Sequence, residues 1–149
     1  PQAKLSPLVA LLNGEILLAG NQPDEATKVL AAALKRYSGY RPLAYLYARA
    51  LLRAQRPADA LAMIKDQQQI WASDIHFYTL SAEAHQALGQ GAQANLAQAE
   101  AYVLKGSIVA AIEQLQLAQR QKNSDFYTQS IIDARLRELK ERQGKEPAK

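Results

Sequence analysis

Asn21-Gln22-Pro23-Asp24-Glu25-Ala26 is the stretch that decides the fold, because it returns. It recurs as Gln55-Arg56-Pro57-Ala58-Asp59-Ala60 and, more loosely, as Gly89-Gln90-Gly91-Ala92-Gln93-Ala94, with 34 residues between corresponding positions. In each copy a polar or glycine turn residue stands five positions ahead of an alanine, and an apolar helical run follows. A period in the thirties marks helix-turn-helix units that cannot bury their own apolar faces and must stack on neighbours. Pro23 and Pro57 suit the first turn of a helix, where no backbone N–H is needed. The acids that follow them, Asp24, Glu25 and Asp59, suit the positive end of the helix dipole.

Outward from these turns, the punctuation predicts helices over about 5–19, 23–37, 42–54, 57–71, 74–88, 92–104, 108–120 and 126–142. Ser73 or Asp74 is placed to cap the fifth, and Asn123-Ser124-Asp125 to cap the last. No period-two strand pattern interrupts them. The expectation is an all-α, right-handed superhelical stack of antiparallel helix pairs, about eight helices in all. The domain is expected to span 5–142, with units near 8–40, 42–73 and 74–104, then helices 108–120 and 125–142 as a terminal pair or cap. Gly106 repeats the turn pattern only 17 residues after Gly89, so the sixth helix is expected to serve two neighbouring pairs. Residues 143–149 are polar, with Gly144 and Pro147, and are expected to form a disordered tail.

Composition agrees with close helix packing. Hydrophobic residues make up 48%, yet there are only two Phe and one Trp, and alanine and glutamine together supply 44 of the 149 residues. Both have high helix propensity, and alanine lets helices approach closely. The net charge of +4 resides mostly in residues 120–149, where eight Lys/Arg face five Asp/Glu. A nucleic-acid surface calls for a concentrated basic stripe with interleaved aromatics, which is missing, so nucleic acid is not an expected partner. No apolar run reaches the roughly 18 residues of a membrane span. Cysteine is absent, which excludes disulfides and thiolate chemistry and fits any compartment. The chain begins Pro1-Gln2 with no signal peptide of its own, and the expectation is of a piece whose N-terminal context lies elsewhere.

The residues in register resemble tetratricopeptide repeats (TPRs). Small residues expected in the first helix fall on Gly14, Ala48 and Ala82, and those of the second helix on Ala26, Ala60 and Ala94. A further small position falls on Ala33 and Ala101 but on Gln67 in the middle unit, and the large first-helix residue is Leu17, Leu51 and then His85. A narrower resemblance is carried by Ala99-Glu-Ala-Tyr-Val-Leu-Lys-Gly106, Ala111-Ile112 and Ile132-Asp-Ala-Arg-Leu-Arg-Glu-Leu139. These look like the C-terminal region of the β-barrel assembly-enhancing protease family (BepA-like), periplasmic zinc metallopeptidases with an upstream HExxH domain. That resemblance implies a periplasmic location and a non-catalytic protein-binding module. It implies zinc held by the parent's catalytic domain, with no cofactor in this chain. The implied partners are protein or peptide segments: outer-membrane β-barrel proteins, their assembly machinery, or the parent's own protease domain. A free-standing TPR adaptor of an envelope assembly or secretion system is the alternative.

Catalysis finds little support in the residues. HExxH places two imidazoles one helical turn apart with a glutamate beside the bound water, whereas His76 and His85 stand nine apart and neither is followed by Glu. No phosphate-binding glycine loop occurs. The expected functional surface is the concave face that TPR arrays build mainly from first helices. The register assigns to it Leu11, Glu15 and Leu18; then Tyr45, Arg49, Leu52 and Arg53; then His76, Thr79, Glu83 and Gln86. Arg49 and Arg53 stand one turn apart, so both can fork onto carboxylates or peptide carbonyls, with Tyr45 as an anchor. The competing expectation pairs Arg49 with Glu15 or Glu83 in a structural network. Trp71, Phe77 and Tyr78 are expected in inter-repeat core. Ile131, Ile132, Leu136 and Leu139 are expected to cover the end of the stack.

Overall fold

A computed structural model describes residues 6–145. These form eight α-helices: α1 (Pro7–Ala19), α2 (Pro23–Arg36), α3 (Arg41–Arg53), α4 (Pro57–Gln68), α5 (Ile75–Ala87), α6 (Gly91–Leu104), α7 (Ile108–Gln119) and α8 (Phe126–Lys145). No strand occurs among the described residues, so the expected all-α class of stacked helix pairs is the observed one. Two ends differ from expectation. α4 stops at Gln68 rather than near Trp71, and α8 runs on to Lys145, so residues 143–145 of the expected tail are helical. The rest of that tail, 146–149, and the start of the first expected helix at Leu5 lie outside the described residues.

Four turns share one geometry, and it explains the 34-residue echo. Asn21, Gln55, Gly89 and Gly106 all take positive φ, at 56°, 61°, 73° and 80°. In each turn the next residue's N–H reaches back to a carbonyl five positions earlier: Gln22 to Leu17 at 2.8 Å, and Arg56 to Leu51, Gln90 to His85 and Ser107 to Tyr102, each at 2.9 Å. The turn residue itself donates to Leu18, Leu52, Gln86 or Val103. This double closure satisfies the orphan carbonyls of a helix end and requires a left-handed residue. The same residue that closes one helix opens the next, since the carbonyls of Gln22, Arg56, Gln90 and Ser107 accept the first bonds of α2, α4, α6 and α7.

The chain divides into a compact unit ending at Ala72 and another beginning at Ser73. In the first, α1 packs on α2 and α3, α2 on α3, and α3 on α4. Its core gathers Ala10, Leu18, Ala26, Leu30, Ala33, Leu43, Leu46 and Ala50. Each buried Leu contributes about 1.5–3 kcal/mol through removal from water. Gly14 shows why the register wants a small residue there: a Cβ on it would lie 2.7 Å from Leu30 Cδ2, inside contact distance. Gln67 shows the converse, because its Oε1 is buried without a hydrogen-bond partner where the other units carry alanine.

In the second unit α6 packs against both α5 and α7, as expected of a helix shared between pairs, and α7 packs on α8. The core joins Ala92, Ala99, Ile108, Ala111, Ile112, Leu115 and Ala118 to Ile132, Leu136 and Leu139 of α8. Ile131 departs from the expected stripe and faces outward, 38% exposed. The i, i+4, i+7 spacing of the other three puts them on one face, and Ile131 lies about 100° round the helix from Ile132. α5 starts at Asp74, whose carboxylate accepts the His76 N–H at 2.9 Å. α8 starts after Asp125, whose carboxylate accepts the Thr128 N–H at 2.7 Å. Hydrogen bonds from Thr128, side chain first and backbone second, hold the Asp125 carboxyl below its usual range.

Candidate protein-binding surface

Within the first unit, α3 supplies the functional candidates. Arg49 and Arg53 are exposed one helical turn apart, with Leu52 half-buried between them and Tyr45 half-buried one turn before Arg49. No ion pair among the described residues engages either arginine, and Arg49 makes none with Glu15 of its own unit. The structural network that would have occupied Arg49 within that unit is therefore not formed. Two guanidinium groups in water, each a planar fork of donors, stand ready for carboxylates or main-chain carbonyls.

α1 contributes unequally. Glu15 is exposed, while Leu11 is half-buried and packs against the core. Leu18 is a correction: it is 5% exposed and sits in the core cluster, so it offers nothing to a partner. Leu11 and Leu18, seven residues apart, lie on nearly the same side of α1 and both turn to the core, while Glu15, about 40–60° round the helix from them, reaches water.

Within the second unit, His76, Glu83 and Gln86 are exposed on α5 and Thr79 is half-buried. The Thr79 hydroxyl donates to the Ile75 carbonyl at 3.2 Å. His76 Nδ1 lies 3.2 Å from Asp74 Oδ1, so the cap that starts α5 also steadies this ring. His85 Nδ1 meets Gln90 Oε1 at 2.7 Å across the turn whose backbone bond already joins the same two residues. His85 thus stands in the register of Leu17 and Leu51 as a turn-closing residue.

Two contacts escaped the sequence. Arg41 lies over the Trp71 ring, 4.0 Å from its centroid, which gives Trp71 a cationic cover rather than a purely apolar seat. Arg135 of α8 grips Glu100 of α6 with Nε at 2.7 Å and Nη2 at 3.0 Å, and Glu138 with Nη1 at 2.9 Å. The Glu100 bond, ahead of other causes, raises the Arg135 pKa further above its usual value. Tyr78 sits in the same field: burial pushes its hydroxyl pKa up, with Glu100 adding to the effect. Pairing across 35 residues leaves no periodic trace, which is why spacing could not find it. Asp133 of the same motif accepts from Gln119 Nε2 at 2.8 Å. The Asp133-Ala134-Arg135 run that carries the narrower resemblance is therefore what ties α8 to α6 and α7.

Comparison with known proteins agrees with this fold. Residues 17–84, a little under half of the chain, match the tetratricopeptide repeat model. The structure is similar to that of the MamA RS-1 ArsTM double mutant, at 19% identity and TM-score 0.64, over 97% of this chain and 80% of that one. It is also similar to a thermophilic TPR protein in Thermus thermophilus, at 22% identity and TM-score 0.52, over 93% of this chain and 84% of that one. No curated protein matches the chain. The match covers residues 17–84, and the two structures share the all-α fold of stacked helix pairs with this chain.

Proposed function

We propose that this chain is a protein-binding module that captures carboxylate-bearing or extended polypeptide segments on the α3 face. The observation that carries the proposal is the pair Arg49 and Arg53, exposed one turn apart and unengaged by any ion pair among the described residues, beside Tyr45 and Leu52. Arginine and tyrosine flanked by a partly covered leucine make the kind of patch in which a few residues carry most of the binding energy. Glu15 on α1 adds an acid that selects the orientation of a basic or amide-rich segment.

The parent of this module is, in our proposal, a periplasmic HExxH zinc metalloprotease acting in outer-membrane protein assembly and quality control. What supports this finer reading is the likeness of residues 82–139 to that family, including the Asp133-Ala134-Arg135 run. In it the zinc belongs to the parent's catalytic domain. The partners are outer-membrane β-barrel proteins or their assembly machinery.

The test uses the full chain as bait and an unfolded outer-membrane β-barrel protein as probe. Arg49→Ala with Arg53→Ala is expected to weaken capture at least tenfold, about 1.4 kcal/mol or more, with helicity unchanged. Retained capture in that variant overturns the α3 assignment. No capture by the unaltered chain overturns the envelope reading.

A further inference from the structure

The outer face of α1 is apolar and bare. Leu8, Val9, Leu12 and Ile16 are 55%, 44%, 49% and 68% exposed, at the spacing of a single stripe. Scattered exposed leucines need no explanation, but four contiguous apolar side chains on a helix with one charged residue do. The 34-residue register says what such a stripe is for. Val9, Leu12 and Ile16 correspond to Leu43, Leu46 and Ala50 of α3. Those three are 0%, 5% and 0% exposed, because the α1–α2 pair covers them in the first core cluster. The same positions are thus core in α3 and surface in α1. The opposite terminus behaves differently. α8 buries Ile132, Leu136 and Leu139 and turns Arg137, Lys140 and Glu141 to water, the polar outer face that a capping helix requires. α1 has no such face.

We propose that the Val9–Leu12–Ile16 face of α1 is the seat of one further antiparallel helix pair of this same repeat type, packed on α1 as the α1–α2 pair packs on α3. The occupant is defined by its chemistry: a second helix with a small-residue and leucine face equivalent to Leu30, Ala33 and Leu34 of α2. This does not depend on the α3 binding face, which uses other residues.

The chain has no cysteine, so a single introduced thiol reports on the face directly. In the 149-residue chain, the thiol of an Ile16→Cys variant is expected to label as fast as in the unfolded protein. A second protein carries residues 7–40 duplicated in tandem ahead of Pro7, which preserves the turn and the 34-residue spacing. There the same thiol is expected to label at least about tenfold more slowly. The whole chain should unfold in one transition with its midpoint raised by about 5 °C or more. Adding Leu12→Glu to the extended protein should reverse both changes. An extension that stays labile, with the thiol labelled as fast as before, overturns the proposal. So does concentration-dependent protection of the original chain with a doubled mass, which would assign the face to a second copy.

Discussion

At the scale of single residues, the left-handed turn positions are where sequence and backbone meet most tightly. Gln55 holds φ of 61° with a full side chain, whereas Gly89 and Gly106 hold comparable angles with none and have open space around them. A Cβ at those glycines meets nothing, so Gly106→Ala isolates the conformational cost alone. It is expected to destabilise the chain by about 1 kcal/mol, the left-handed penalty less the stabilisation that comes from alanine's smaller unfolded-state entropy. Gln55→Gly should be neutral or stabilising by up to about 1 kcal/mol. Urea unfolding at constant slope measures both, and a Gly106→Ala variant as stable as the original would show that the turn relaxes out of the left-handed region.

At the scale of elements, α8 is held by apolar seating and by one charged clamp. The clamp is partly exposed, with Arg135 and Glu100 side chains at 21% and 24%, so its worth lies above that of a surface pair and below that of a buried one. Arg135→Ala is expected to cost about 1–2 kcal/mol, and Arg135→Lys to recover little of it, since lysine cannot reproduce the two parallel bonds to Glu100. A double-mutant cycle with Glu100→Gln should return a coupling energy of about 1 kcal/mol. Simple additivity would reduce the clamp to a surface decoration. The measurement also bears on Tyr78: with Glu100 neutral, one cause of its raised pKa is gone, and its spectroscopic titration should move down in pH.

At the scale of the molecule, legibility follows the periodicity. The eight helices, the shared role of α6 and the turn residues could be read because local chemistry and spacing point to the same answer. Caps were readable to within a residue or two: of Ser73 and Asp74 it is Asp74 that caps α5, and of Asn123-Ser124-Asp125 it is Asp125 that caps α8. Helix rotation was not. Leu18 and Ile131 each stand at a helical spacing compatible with two faces, and only packing decides that one goes in and the other out. Charge pairing was equally hidden, because Glu100 and Arg135 lie on different elements and belong to no repeat. Of the eleven residues expected on the concave face, ten are at least partly exposed and Leu18 is not.

The doubly closed turns also fix where the polypeptide can be cut. A protease must draw several residues of extended chain into its cleft, and a turn in which one residue ends a helix and begins the next has none to give. Lys105 sits at such a turn and is followed by Gly106, so it is expected to resist trypsin although it is exposed. The link between α7 and α8 spans residues 120–125, is exposed along most of its length and contains Arg120 and Lys122. Limited digestion should nick the described part of the chain there first and release α8 as a discrete fragment, readable by mass. Early cleavage after Lys105 would mean that the turn at Gly106 opens far more often than its two bonds suggest.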